Sequence, residues 1–260
     1  MMLEQLRLMR RIHAEASHWA KATPTPLTRD GYVVTDPLLP TQDCVRLANL
    51  ALHIAVEHPF SCSLGQSAYV VHRAEGHRPY DKNVVQIMNA QDIDPSLDEL
   101  FQSQRIEQQF AKYGIGNVTL QSISIQIDRP DSEDKRGFHV DSHYPVVFKS
   151  FTYLTPVLND SNGPYTIIPR SHSDVTKKYQ CIARSRLTGQ PITNMPSYSD
   201  SEAVRICGDV GTTILSIQSA VHKGWMPHTM DVRVALICYL DRQPTRRPFN
   251  LGFDLIQSNT

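Results

Sequence analysis

Asn117–Asp128, NVTLQSISIQID, sets Ser122, Ser124 and Gln126 alternately between Ile123, Ile125 and Ile127. Neighbouring side chains of an extended chain point to opposite sides, so a period of two predicts a strand with one apolar and one polar face. What lies before it is patterned differently. Residues 94–114, DPSLDELFQSQRIEQQFAKYG, predict a helix: Asp94 caps it, Pro95 takes the first helical position, Leu97, Phe101 and Phe110 recur on one side, and Gly114 stops it. PTQDCVRLANLALHIAVEH predicts another, with Thr41 available as N-cap, and GYVVTD before it reads as a short strand. The first 30 residues predict a helix with Leu3, Leu6, Met9 and Ile12 on one face, closed by Pro24 and Pro26.

After the opening stretch come further strand candidates: VVFKSFTYL at 146–154, YTII at 165–168, AVRIC at 203–207, TTILSI at 212–217 and VRVALICYL at 232–240. Turn chemistry separates them at Asn162-Gly163-Pro164, Gly208-Asp209-Val210-Gly211 and Lys223-Gly224-Trp225-Met226-Pro227. Short strands at such spacing predict a sandwich or barrel rather than βαβ units. The organisation expected is a single domain over 1–260, with a helix-rich part over about 1–114 packed on a β core over about 115–245, interrupted by a lid-like insertion at 171–202.

Lysine plus arginine balance aspartate plus glutamate at 26 each, which argues against nucleic acid or an anionic membrane as partner and leaves a small molecule. The five cysteines are scattered without a C-x-x-C pair, so neither a disulfide framework nor a thiolate zinc site is expected, and a reducing cytoplasm fits. The N-terminus carries charges throughout, and no run of about 18 apolar residues occurs, so an unexported cytoplasmic protein is expected. Arg170, Lys177, Lys178, Arg184 and Arg186 make the excursion after YTII basic, which would suit an anionic substrate; a solvated charged loop explains them as well.

Residues 137–145, GFHVDSHYP, carry the chemistry. In an extended chain His139 and Asp141 project together while Val140 faces away, so two ligands can approach one ion. His143 shares that side only if the strand continues towards Pro145. Alone, His-x-Asp is more often a structural polar pair than a pair of metal ligands. A second histidine would come from His172, His222 or His228. Two histidines and one carboxylate leave three positions open on ferrous iron, enough for a bidentate 2-oxo acid and dioxygen. The far carboxylate of such a cosubstrate calls for arginine, and Arg233 stands eleven residues after His222, although an arginine opening so apolar a strand could equally neutralise a buried aspartate.

His139-x-Asp141, NGPYTIIPRSH, GDVG before a strand, His222 with its arginine, and the early LTRDGYVVTDPLLPTQDCVRLANL together resemble the phytanoyl-CoA dioxygenase family of iron(II)- and 2-oxoglutarate-dependent oxygenases. The resemblance runs from about residue 27 to residue 240. It implies a mainly β fold with flanking helices around a double-stranded β-helix, a cupin-like jelly-roll core. It implies that His139, Asp141 and His222 hold Fe(II) and that Arg233 pairs with the distal carboxylate of 2-oxoglutarate, with Gln126 also facing the cosubstrate. The activity implied is hydroxylation of an unactivated C–H bond of a small molecule, releasing succinate and CO2.

The same resemblance marks departures. Arg170 stands where glycine is usual, Gly224 stands where a small hydroxyl residue is common, and Thr152 stands at a pocket position where an aromatic is common. His172 is expected to stabilise a turn, and His143 to support the site or lie on the surface. Trp225 and Met226 would line the pocket or cap the barrel mouth. Two other classes stay open: a cupin-like binding protein or isomerase without oxygenase activity, and a zinc hydrolase using His139, Asp141 and His143.

Overall fold

The computed structural model describes residues 2–72, 84–130, 137–143, 146–224 and 231–242, with side chains from residue 6 onward. Eleven strands are described: β1 Tyr32–Thr35, β2 Cys62–Gly65, β3 Ala68–His72, β4 Val84–Met88, β5 Thr119–Asp128, β6 Val147–Tyr153, β7 Tyr165–Ile167, β8 Val204–Ile206, β9 Thr213–Ile217, β10 His222–Gly224 and β11 Arg233–Asp241. Eight form one sheet in the order β1-β9-β6-β11-β5-β4-β3-β2, and three form a second in the order β10-β7-β8. The pairings between them are antiparallel. Two such sheets face to face make the jelly-roll core expected from the sequence.

The alternation of β5 shows how the layers stack. Ile123, Ile125 and Ile127 are fully buried in one cluster with Leu47 and Ala51 of helix α3 (Thr41–Glu57), Leu97 and Leu100 of α4 (Pro95–Gln102), and Ile106 and Phe110 of α5 (Arg105–Lys112). The apolar face of the large sheet therefore lies under the helices. The opposite face carries Ser122, Ser124 and Asp128, which are also buried, and the small sheet packs Tyr165, Ile167 and Ile206 against Tyr153, Ile214 and Ala235 on this inner side. Register extends this inner row to Gln86 on β4, to Arg233, Ala235, Ile237 and Tyr239 on β11, and to Lys149, Phe151 and Tyr153 on β6.

Several local expectations meet corrections. The 94–114 helix is two helices, since Gln104 turns left-handed at φ 55 between α4 and α5. Thr41 is the first helical residue, and Pro40 stands at the cap with no side-chain bond. Helix α1 (Met2–Lys21) buries Leu8, Ile12, Glu15 and Trp19, whereas Leu6 and Met9 are exposed; the side chain of Leu3 lies outside the described residues. The stripe was misjudged because a glutamate interrupts it, and that glutamate is buried against Lys178. Strands β2, β3, β4 and β10 are too short, or too uniformly apolar, to announce themselves by alternation. Within 171–202 the chain forms helix α6 (Val175–Leu187), whose Tyr179 hydroxyl donates to Met9 O at 2.7 Å on α1.

Candidate metal centre

His139 and His222 face each other across an antiparallel bridge closed by both backbone bonds, His139 N–H to His222 O at 3.0 Å and His222 N–H to His139 O at 2.9 Å. Directly opposed residues present their side chains on one side, and the ring centroids lie 4.5 Å apart. The His139 segment is held on its other edge too, where Val140 N–H donates to Thr193 O and Met195 N–H to Phe138 O. Phe138 and Val140 point into a cluster with Ile168, Cys181, Met195 and Val221. That anchoring turns His139 and Asp141 the other way, as the period of two requires.

Both rings are set by the same device. His139 Nδ1 lies 2.9 Å from Gly137 O, and His222 Nδ1 lies 2.9 Å from Ala220 O. A carbonyl accepts only, so each Nδ1 carries the proton and each Nε2 presents a lone pair. The two Nε2 atoms converge on the Asp141 carboxylate, at 3.7 Å from Oδ1 and 3.7 Å from Oδ2 respectively. The three ligand atoms lie within 4.8 Å of one another. Two neutral imidazoles and a carboxylate held this close suit a divalent first-row metal.

Burial acts to raise the Asp141 pKa, but the charge of Lys149, the largest of the opposing causes, holds the carboxyl below its usual range. Lys149 Nζ sits 2.5 Å from Asp141 Oδ2. Neither this lysine nor the aromatic wall near it was singled out from the sequence. Phe151 stacks on Tyr165 with centroids 4.4 Å apart, and the Tyr165 ring is 5.6 Å from that of His222. The available signal was a lone charged residue, two residues before Phe151, in a strand with no other charge.

Arg233 is buried as expected, and its anion within the chain is Asp128. Nε and Nη2 donate to Asp128 Oδ2 at 2.9 and 2.7 Å, while Nη1 donates to Gly163 O. Gln126 stands behind this pair, donating to Asp128 Oδ1 at 2.8 Å and accepting from Gln86 at 2.7 Å. The guanidinium reaches β10, because a Cβ on Gly224 would lie 3.7 Å from Arg233 Nη2. The missing side chain at Gly224 thus leaves room beside the arginine, two residues from His222.

The remaining sequence candidates separate. His143 is buried away from the ligand set, its Nε2 3.2 Å from Ile192 O. His172 ties a turn to Thr28 O at 3.0 Å. Thr152 lies on the helix-covered face, sharing a hydrogen bond with Thr213 at 2.9 Å; Phe151 is the inward-facing aromatic. Arg170 adopts φ 65, the left-handed conformation that glycine supplies in the resembling motif. Three charges of the basic excursion are spent on partners, Arg170 on Asp30, Lys177 on Glu202 and Lys178 on Glu15. Trp225, Met226 and His228 lie outside the described residues.

A family model described as Phytanoyl-CoA dioxygenase (PhyH) matches residues 27–235. None of the curated proteins matches the chain. Among solved structures, the non-heme alpha ketoglutarate dependent carbocyclase SnoK from nogalamycin biosynthesis aligns with a TM-score of 0.62 at 16% identity, over 89% of this chain and 88% of that one. The epimerase SnoN in complex with Fe3+, alpha ketoglutarate and nogalamycin RO gives 0.58 at 15%, over 88% and 83%. EctD from S. alaskensis with bound Fe gives 0.55 at 16%, over 87% and 76%. At these identities the likeness establishes the fold.

Proposed function

The chain belongs to the phytanoyl-CoA dioxygenase family, and from that premise we propose that it is an iron(II)- and 2-oxoglutarate-dependent oxygenase that hydroxylates an unactivated C–H bond of a small molecule. One observation carries the reading. Two imidazoles, each locked by a backbone carbonyl into the tautomer that ligates through Nε2, converge on a single carboxylate.

In this reading His139, Asp141 and His222 hold the metal. Ferrous iron with a 2-oxo acid supplies dioxygen activation and, with loss of CO2 and formation of succinate, an oxidant able to take hydrogen from a C–H bond. The chain's own side chains bind, orient and exclude. Asp128 and Gly163 engage three of the five N–H groups of Arg233, and the other two are its means of holding the distal carboxylate of 2-oxoglutarate. Gln126 serves the cosubstrate through Asp128, fixing the carboxylate that orients the arginine. Phe151 and Tyr165 form a stacked wall beside His222 that excludes water from one side of the site.

Anaerobic addition of Fe(II) and then 2-oxoglutarate is expected to raise a visible charge-transfer band, and His139→Ala or Asp141→Ala to abolish it while leaving the fold intact by circular dichroism. Aerobic screening for succinate release then identifies substrates. Product mass after reaction under 18O2 separates hydroxylation, with label retained in the product, from an epimerase or carbocyclase outcome of the kind named for SnoN and SnoK. A wild-type protein that binds Fe(II) without responding to 2-oxoglutarate would defeat the oxygenase reading.

A further inference from the structure

Lys149 occupies a position that ligand geometry alone does not require. It stands on β6 in the middle of the large sheet, registered against Ser216 of β9 on one side and Tyr239 of β11 on the other, so backbone pairing on both flanks fixes its place. Its side chain is 16% exposed, its Nζ is 2.5 Å from Asp141 Oδ2, and it lies 4.9 Å from the centroid of the Tyr239 ring. The contact with Tyr239 supplies a cation–π attraction that helps hold the ammonium where it is. A cation on a carboxylate that binds a metal competes with that metal and repels it. Placing one there is unfavourable for metal binding, so its benefit has to lie in another step.

We propose that Lys149 is a positioning residue that acts as a resident counter-cation, opposing metal uptake but favouring a dianionic 2-oxo acid on the metal-loaded site; the proposal rests on the 2-oxoglutarate reading above. Asp141 with Lys149, and Asp128 with Arg233, form two pairs whose charges cancel. A divalent metal and a dianionic cosubstrate then add equal and opposite charges. With Lys149 the loaded site is balanced; without it, Asp141 and the cosubstrate together outweigh the metal by one negative charge. In a partly buried site, where the effective dielectric is about 20, one unit charge a few ångströms away changes an affinity by about tenfold or more. The two loading steps therefore respond to Lys149 with opposite sign. A side chain that merely propped up Asp141 would weaken both steps when removed.

The test is two equilibrium titrations under anaerobic conditions, Fe(II) alone and then 2-oxoglutarate on the Fe(II)-loaded protein, neither of which requires turnover. Lys149→Met, which keeps the stem and removes the charge, is expected to tighten the first and to weaken the second about tenfold, with Lys149→Arg close to wild type on both. If the methionine variant does not fold, judged by circular dichroism and melting without ligand, Lys149→Gln takes its place. A variant that loses affinity for Fe(II) and 2-oxoglutarate alike, or that binds 2-oxoglutarate within twofold of wild type, overturns the role of Lys149. Wild-type protein that loads Fe(II) but not 2-oxoglutarate defeats the functional reading first, and the two failures are distinguished by which protein shows them.

Discussion

His172 is buried under α1, edge-on to the Trp19 ring at 5.5 Å, and its Nε2 donates to Thr28 O. Burial first, and then the charge of Lys178, lower its pKa to about 4, although the bond to Thr28 acts the other way. An unfolded histidine titrates near 6.5, so between about pH 6.5 and pH 4 the unfolded chain binds a proton that the native one refuses. Stability from this group is present above that window and lost as the pH falls through it. His172→Gln, which keeps a donor for Thr28, is expected to flatten the dependence of unfolding free energy on pH by up to about 1.4 kcal/mol per unit there, read by urea denaturation. An unchanged slope would contradict the assignment. Among single residues, His139 and Asp141 were legible because their spacing is written along the chain, and His222 through the likeness of its segment to a family motif. Lys149 and Asp128 were not, since each acquires meaning only from a neighbour on another strand.

Helix α2 (Pro26–Asp30) ends at Gly31, whose φ of 88 lets the chain turn into β1, and whose carbonyl accepts from Ile217 N–H at 2.9 Å. A Cβ there would lie 2.9 Å from His172 Nδ1 and 3.0 Å from Ala220 Cβ. Ala220 is also the residue whose carbonyl orients His222. Gly31→Ala combines left-handed strain with a clash and is expected to cost about 2 kcal/mol, measured by chemical denaturation, and to weaken metal binding more than a surface Gly189→Ala control. The ends of elements were read well where local chemistry sets them, as with Asp94 accepting from Ser96 N–H at 3.0 Å and Pro95 behind it. They were read badly where tertiary packing overrides propensity. The break between α4 and α5 places Leu100 and Ile106 in the same core, which one continuous helix did not suggest.

Glu15 of α1 and Lys178 of α6 are both fully buried and joined at 3.4 Å, with Trp19 Nε1 and His172 O completing the group. This contact joins the N-terminal helix to the 171–202 segment, whose residues 193–195 in turn pair with the stretch carrying His139. Burial raises the Glu15 pKa and lowers that of Lys178, and each partner opposes the shift of the other. Lys178→Met alone strands a buried carboxylate and is expected to cost about 3–5 kcal/mol, whereas the double variant Glu15→Leu with Lys178→Met should recover most of it in the same urea melts. A double variant no more stable than the single would show that the pair is not what holds α1 in place. The sequence by itself determined strands β1, β5 to β9 and β11, the presence of flanking helices and the His-x-Asp spacing, because backbone geometry imposes periods that those windows display. It left open which side of β5 met water. Only the tertiary structure decided that neither does: helices cover the isoleucine face, and Ser122, Ser124 and Asp128 on the other are buried too. The partners of that polar face, Gln86 from β4 and Arg233 from β11, arrive through long-range antiparallel pairing. Alternation specifies that a strand has two faces; what covers each depends on segments far away in the chain.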